Sequence, residues 1–295
     1  MVDKPVDNPA RRRFRVSIRV LMLVILVLAV RLGWTVNRAK RQEAAIKNIL
    51  RLRGTVGLSY TYQHDGDFPP VLTDDPPAPK WLLALSGPEY FRTVNFVGYA
   101  QARRPPSPII DLSVFGGLPD VHELELDSTT FDDSDMVHVR RLKLIRFIAN
   151  DTPLGDDGLA CLAGMRKLSE IGLADTRITD KGLTHLATMP MLKTVNLAGL
   201  KVTDAGLANL SKLTNLRSLM LSSTLISDAG LVHLSGLKQL IWLGLSGTHV
   251  TDAGLERLKA LPRLKSLTLL KTGVTDAGIE RFRDAFGQSI LIDQE

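Results

Sequence analysis

The chain has 295 residues with 37 Lys+Arg, 31 Asp+Glu, one Cys and 5% aromatics, which is length enough for one or two globular domains and too little cysteine for an internal disulfide. The formal charge of +6 is unevenly placed: residues 1–53 hold 13 Lys/Arg against 3 Asp/Glu, leaving 24 against 28 for residues 54–295. A nucleic-acid-binding body is expected to carry a basic face of its own, so a net-acidic remainder argues against that class of partner.

Residues 1–15 form a basic tail containing Arg11-Arg12-Arg13-Phe14-Arg15, and an uninterrupted run of 11 apolar residues follows at Val20–Val30. A helix crosses a bilayer with about 20 largely apolar residues. Residues 16–36 supply that if Arg19 and Arg31 snorkel to the headgroups and Trp34 sits in the interfacial belt, and they read as a transmembrane signal anchor. A cleaved secretory signal and a buried core helix are the competing readings. No small-x-small cleavage pattern surrounds Ala29-Val30-Arg31, and arginines bracket the apolar run. Basic density before the span places the N-terminus inside and the rest of the chain extracytoplasmic.

Residues 37–80 read as a juxtamembrane helix and a Pro-rich linker. In Asn37–Arg53, Ala45, Ile46, Ile49 and Leu50 share a helix face, suited to a membrane surface, a continuation of the span or a solvated stalk. Gly54–Tyr62 alternates like a short strand. Five prolines in the 13 residues of Phe68–Lys80 exclude helix and central strand. Residues 81–120 read as an N-terminal cap with a degenerate first repeat at Phe91, Val94 and Phe96; Trp81-Leu82-Leu83-Ala84-Leu85 begins a helix placed to cover the end of the repeat array. Arg103–Pro108 is a proline-rich surface excursion.

From 121 to 281 the chain repeats. Ile178-Thr-Asp, Val202-Thr-Asp, Ile226-Ser-Asp, Val250-Thr-Asp and Val274-Thr-Asp recur every 24 residues, each followed two residues after the Asp by Gly-Leu or Gly-Ile. Leu-x-x-Leu-x-Leu or a close relative precedes each triplet. Its last two apolar positions have the two-residue period of a half-buried strand, whereas Leu207, Leu210 and Leu213 step by three like a short helix. One such unit buries nothing alone; stacked units give an α/β solenoid with a parallel strand ladder and a shared leucine core. The Thr and Asp of each triplet are suited to start the helical half. Residues 282–295, with Phe282, Phe286, Ile290 and Ile292, read as a C-terminal cap.

The pattern Leu-x-x-Leu-x-Leu-x-x-Thr-x-Val/Ile-Thr-Asp-x-Gly-Leu resembles leucine-rich repeats, and among them the cysteine-containing subtype of F-box substrate receptors. The resemblance implies the fold and a protein-binding role. Thr152, Thr176, Leu200, Thr224, Thr248 and Thr272 stand where the subtype has cysteine, so threonine hydroxyls are expected to replace the thiols. No F-box-like helical domain precedes the repeats.

In such a curved ladder the residues between buried strand positions face the concave side. This gives Thr93 and Asn95 in the first unit, then Glu123, Glu125, Asp127, Arg146, Asp151 and Glu170, then Met220 and Trp242. The reading is of an acidic patch meeting a basic protein partner, with Met220 and Trp242 as an apolar anchor. Alternatives are a solvated strand surface with Trp242 tucked against its neighbours, a soluble substrate-recognition adaptor, and an envelope protein binding glycan or itself. No catalytic motif, cofactor fingerprint or metal-ligand spacing is present, so the chain reads as a non-enzyme without cofactor. Cys161, among Leu159, Ala160 and Leu162, reads as a buried inert thiol.

Overall fold

The structure is a computed structural model of the chain and describes residues 18–52, 54–59, 61–63, 71–73, 93–99, 109–286 and 290–293. Helix α1 runs unbroken over Ile18–Arg51. Its C-terminal half continues the same helix and packs one face against the solenoid. Gln42, Ala45 and Ile49, one stripe at i, i+3, i+7, are buried, Ile46 and Leu52 pack on the same core, and Leu50 is exposed. This stripe closes the N-terminal end of the solenoid. The cap expected at Trp81–Leu85 and the excursion at Arg103–Pro108 lie outside the described residues.

Strands β1 (Thr55–Ser59), β2 (Thr61–Gln63), β3 (Val71–Thr73), β4 (Thr93–Gly98), β5 (Glu123–Glu125), β6 (Arg146–Ile148), β7 (Glu170–Gly172), β8 (Thr194–Asn196), β9 (Ser218–Met220), β10 (Trp242–Gly244), β11 (Ser266–Thr268) and β12 (Leu291–Asp293) come next along the chain. One ten-stranded sheet has the order β1-β4-β5-β6-β7-β8-β9-β10-β11-β12, and β2 and β3 pair separately. β1 is antiparallel to β4, and every later pair is parallel. The central residues Leu124, Phe147, Ile171, Val195, Leu219, Leu243 and Leu267 stack in one register line and are fully buried. Each fully buried aliphatic side chain contributes about 1.5–3 kcal/mol, and here every one is buried against a neighbouring unit.

The first unit departs from the sequence reading. Phe96 pairs with Glu123, Val97 with Leu124 and Gly98 with Glu125, so the buried line runs through Val94, Val97 and Tyr99, Phe96 falls between buried positions, and Phe91 lies outside the described residues. Both triplets have the i, i+3, i+5 spacing, and a tyrosine in the last leucine position hid the correct one. The concave positions are consequently Phe96 and Gly98; Asn95 is buried. At the other end, the cap residues Ile290 and Ile292 flank and occupy β12, so the ladder continues one strand into the cap.

Short helices α2 (Asp156–Ala160), α3 (Asp180–Leu186), α4 (Asp204–Leu207), α5 (Asp252–Leu258) and α6 (Asp276–Phe286), with 3-10 segments between them, form the opposite wall. Thr179, Thr203 and Thr251 cap α3, α4 and α5 by accepting the backbone N–H two residues on. The aspartate beside each cap does more than favour the helix end. Asp180 Oδ1 accepts the N–H of Thr203 at 2.9 Å and its Oδ2 accepts the Thr203 hydroxyl at 2.6 Å. The same pair of bonds joins Asp156 to Thr179, Asp204 to Ser227, Asp228 to Thr251 and Asp252 to Thr275. The glycine of each triplet explains itself here: a Cβ at Gly206 would collide with Asp180 Oδ1, and one at Gly182, Gly230, Gly254 or Gly278 with the preceding unit's aspartate. Thr caps its own helix, Asp latches the next unit, and Gly leaves room for the latch before it.

The turn after each strand is equally regular. Ser128, Asp151, Asp175, Ser223 and Lys271 hold φ of 54–57°, with glycine at 199 and 247 in the same place. The next residue is the threonine rung: the expected Thr152, Thr176, Thr224, Thr248 and Thr272, and also Thr129, donate their hydroxyls to the carbonyl three residues back, at 2.5–2.8 Å. Leu200 fills that place in one unit and is buried.

Candidate functional site

The residues flanking the buried line of β5 to β11 form a rigid wall whose backbone is fixed by the ladder. Three of the expected side chains meet there. Arg146 pairs with Glu125, and its Nε lies 3.2 Å from Glu170 Oε2, so one guanidinium bridges two carboxylates across β5, β6 and β7. Burial alone would lower the Arg146 pKa, but Glu125 and Glu170 outweigh it and the group is held further into its charged form. Glu123, half-buried beside them, accepts no such bridge. Burial raises its pKa; Arg146 opposes, and Glu125 and Glu170 add to the rise.

Asp127 and Asp151 lie in the turns beyond the strands. Asp127 Oδ1 accepts the Asn150 backbone N–H at 2.8 Å and Nδ2–H at 3.1 Å, and Asn150 Oδ1 in turn accepts the Ala174 N–H at 2.8 Å. Burial raises the Asp127 pKa, while the bonds from Asn150 oppose that. Asp151 is exposed and accepts the Ser128 hydroxyl at 3.0 Å. Both carboxylates therefore tie one unit to the next. The sequence signal for this was available: Asp127, Asn150 and Ala174 sit at unit-length spacing in the same turn.

Met220 and Trp242 are half-buried on adjacent strands. Gly244 pairs with Met220, and a Cβ at Gly244 would lie 2.7 Å from Trp242 Cη2, so the indole lies along the strand over its own second neighbour. Trp242 is thus half-buried along its own strand. The glycine that permits this was not singled out from sequence.

Elsewhere, Cys161 is half-buried at the end of α2 rather than buried, and burial pushes its thiol pKa up. Among the described residues no group of three or more His, Cys, Asp or Glu is placed to hold a metal ion. The aspartate column spends both oxygens of five members on the next unit.

The N-terminal half of α1 is the second surface of note. Met22, Leu23, Ile25, Leu26, Val27, Val30 and Trp34 are each more than half exposed. Arg38 stacks over Trp34, 5.6 Å from the ring centroid, and pairs with Asp120 of the first unit. Measured over the described residues, no helix is both long and apolar enough to cross a membrane.

No family model matches the sequence, and no curated protein matches it. Among solved structures the chain is similar to an internalin from Listeria monocytogenes, at 24% identity and TM-score 0.53, covering 63% of this chain and 51% of that one. It is also similar to internalin C2 of the same organism, at 20% identity and TM-score 0.55, covering 68% and 81%. The fold is a leucine-rich-repeat solenoid. A leucine-rich-repeat protein from Leptospira interrogans aligns at 19% identity and TM-score 0.48, over 61% of this chain and 45% of that one. The chain spans about half the length of the first internalin, and the likeness carries the architecture of the leucine-rich repeats alone.

Proposed function

We propose that this chain is a non-catalytic binding module, seated on a membrane through the apolar half of α1, that engages a protein partner on its concave face. The observation that carries the partner reading is the contrast along that face. Among the described residues the Glu123 carboxylate makes no side-chain bond and Glu170 engages Arg146 through Oε2 alone at one end, while half-buried Met220 and Trp242 lie farther along the same wall. A partner presenting a cation for the first and an apolar side chain for the second matches both. Aromatic anchors of this kind dominate binding energies.

The membrane reading rests on the exposed apolar stripe of Met22–Trp34, which has no covering element among the described residues. Exposed contiguous apolar surface of this size marks a membrane or protein contact. Extraction of membranes with alkaline carbonate tests it: the chain stays in the pellet, and its release into the supernatant would remove the anchor.

The concave face is tested by placing a photo-crosslinking residue at 170 or 242 and, as control, at 184 or 232 on the helical wall. Adducts form from the concave positions only. Equal yields from both walls would sink the assignment.

A further inference from the structure

The two rims of the solenoid carry opposite charge. On the rim where each helix returns to the next strand, the segments 139–145, 162–169, 186–193, 210–217, 234–241 and 258–265 contain twelve Lys/Arg and no Asp/Glu. On the rim where each strand leaves for the helix, 126–133, 149–156, 173–180, 197–204, 221–228, 245–252 and 269–276 contain eleven Asp and three Lys/Arg. The basic segments are in spatial register: the backbone N–H groups of Ile145, Ser169, Lys193, Arg217, Ile241 and Lys265 each donate to the corresponding residue one unit earlier. Arg140, Lys143, Lys167, Arg217, Lys238 and Lys265 are exposed. Of the twelve, only Lys259 pairs with a carboxylate among the described residues.

The direction of α1 relates this rim to its apolar stripe. Ile49 lies by Gly54 and Tyr99, at the exit end of β4; Arg41 backs onto Gly117, at the end of the 3-10 helix Leu112–Gly117; Arg38 pairs with Asp120, on the entry rim of the first unit. The helix therefore crosses the end of the solenoid from the acidic rim to the basic one, and its remaining turns run on past it. At 1.5 Å per residue, Met22 stands about 24 Å beyond Arg38.

We propose that the basic rim lies against an anionic lipid surface, so that the solenoid stands on the bilayer along its length while the apolar half of α1 enters it. This rests on α1 being membrane-seated. Lysines and arginines within a Debye length of an anionic leaflet are attracted to it, and a row held at fixed repeat spacing on a rigid wall meets a flat surface together. The acidic rim, carried to the far side, is repelled.

The test uses the full chain in nanodiscs of phosphatidylcholine, with or without phosphatidylserine, and reads lysine labelling by an amine-reactive reagent. Lys143, Lys167, Lys193, Lys238 and Lys265 label roughly fivefold more slowly in the phosphatidylserine discs, high salt removes the difference, and Lys201 and Lys271 on the acidic rim are unchanged. In the K167E/K193E/K238E variant, which still co-elutes with both discs, Lys143 and Lys265 lose their protection. Co-elution with both discs and identical labelling in both overturns the rim assignment and leaves the anchor standing. Failure to co-elute with either overturns the anchor and the rim with it. Protection that grows with protein concentration in phosphatidylcholine discs points to the acidic rim of a second copy and overturns the lipid assignment.

Discussion

The two rims of this solenoid are made by the same repeat and are built in opposite ways. On the strand-to-helix rim a recurring set of polar side chains is spent on the fold: aspartate on the next unit's threonine, asparagine on the next unit's backbone N–H, and threonine on the carbonyl three residues back. On the helix-to-strand rim the backbone ladder joins the units, helped by scattered bonds such as Lys238 Nζ to the Ala260 carbonyl and Asn215 Nδ2 to the Pro190 carbonyl, and among the described residues only Lys259 of its cations pairs with a carboxylate. Charge on the first rim is structural; charge on the second is available. Composition cannot separate the two, since the sum over residues 54–295 is merely −4.

The sharpest break in the comparison is steric. Gly206→Ala drives a methyl into Asp180 and lowers stability in urea unfolding by about 3 kcal/mol. Asp180→Ala in the same chain vacates the space, so the double variant loses less than the sum of the two singles; strict additivity would show that glycine serves some other purpose. Removing one latch, Asp204→Ala, leaves the Ser227 N–H and hydroxyl without their partner and costs about 2 kcal/mol. Thr224→Val keeps the shape of a rung and loses one bond, about 1 kcal/mol. On the other rim, Lys193→Glu changes stability by no more than about 0.5 kcal/mol, and a larger loss would mean that rim is structural too.

Acid separates regions of the chain as well. Hydrogen bonds from Thr275, and then Arg281, hold the Asp252 pKa below its ordinary 3.8, so that latch is in place above pH 3.8 and is lost as pH falls through the folded value. Glu123 is shifted the other way, above 4.5. Relative to the unfolded chain its contribution is fully present below pH 4.5 and is lost as pH rises through the folded value. Amide exchange monitored downward from neutral pH therefore shows the Thr275 N–H opening in the acid range while the β5–β7 region gains protection first. Simultaneous loss at both places would contradict the opposed shifts.

The period, the parallel ladder, the buried leucines and the threonine rungs were all legible in the sequence, because a 24-residue recurrence states each of them five times. What was not legible depended on partners one unit away. The aspartates read as helix starts because a single unit contains no sign of the threonine they bind in the next. The first unit was misplaced by three residues because Val94-x-x-Val97-x-Tyr99 and Phe91-x-x-Val94-x-Phe96 obey the same spacing. Of the expected concave residues, Asp127 and Asp151 belong to the turns and Arg146 neutralises Glu125; linear order does not reveal that a guanidinium reaches strands on either side of its own. The fate of the Asn37–Arg53 helix turned on Tyr99 and Gly117, far along the chain.

Because each latching aspartate, from Asp156 to Asp252, reaches toward the following unit, the solenoid has a grammar of succession. A unit just completed offers an open carboxylate; the one after it arrives with a hydroxyl, an amide and a vacancy of matching shape. Growth from the end sealed by α1 can thus proceed in the order of synthesis, each newcomer finding its place already marked.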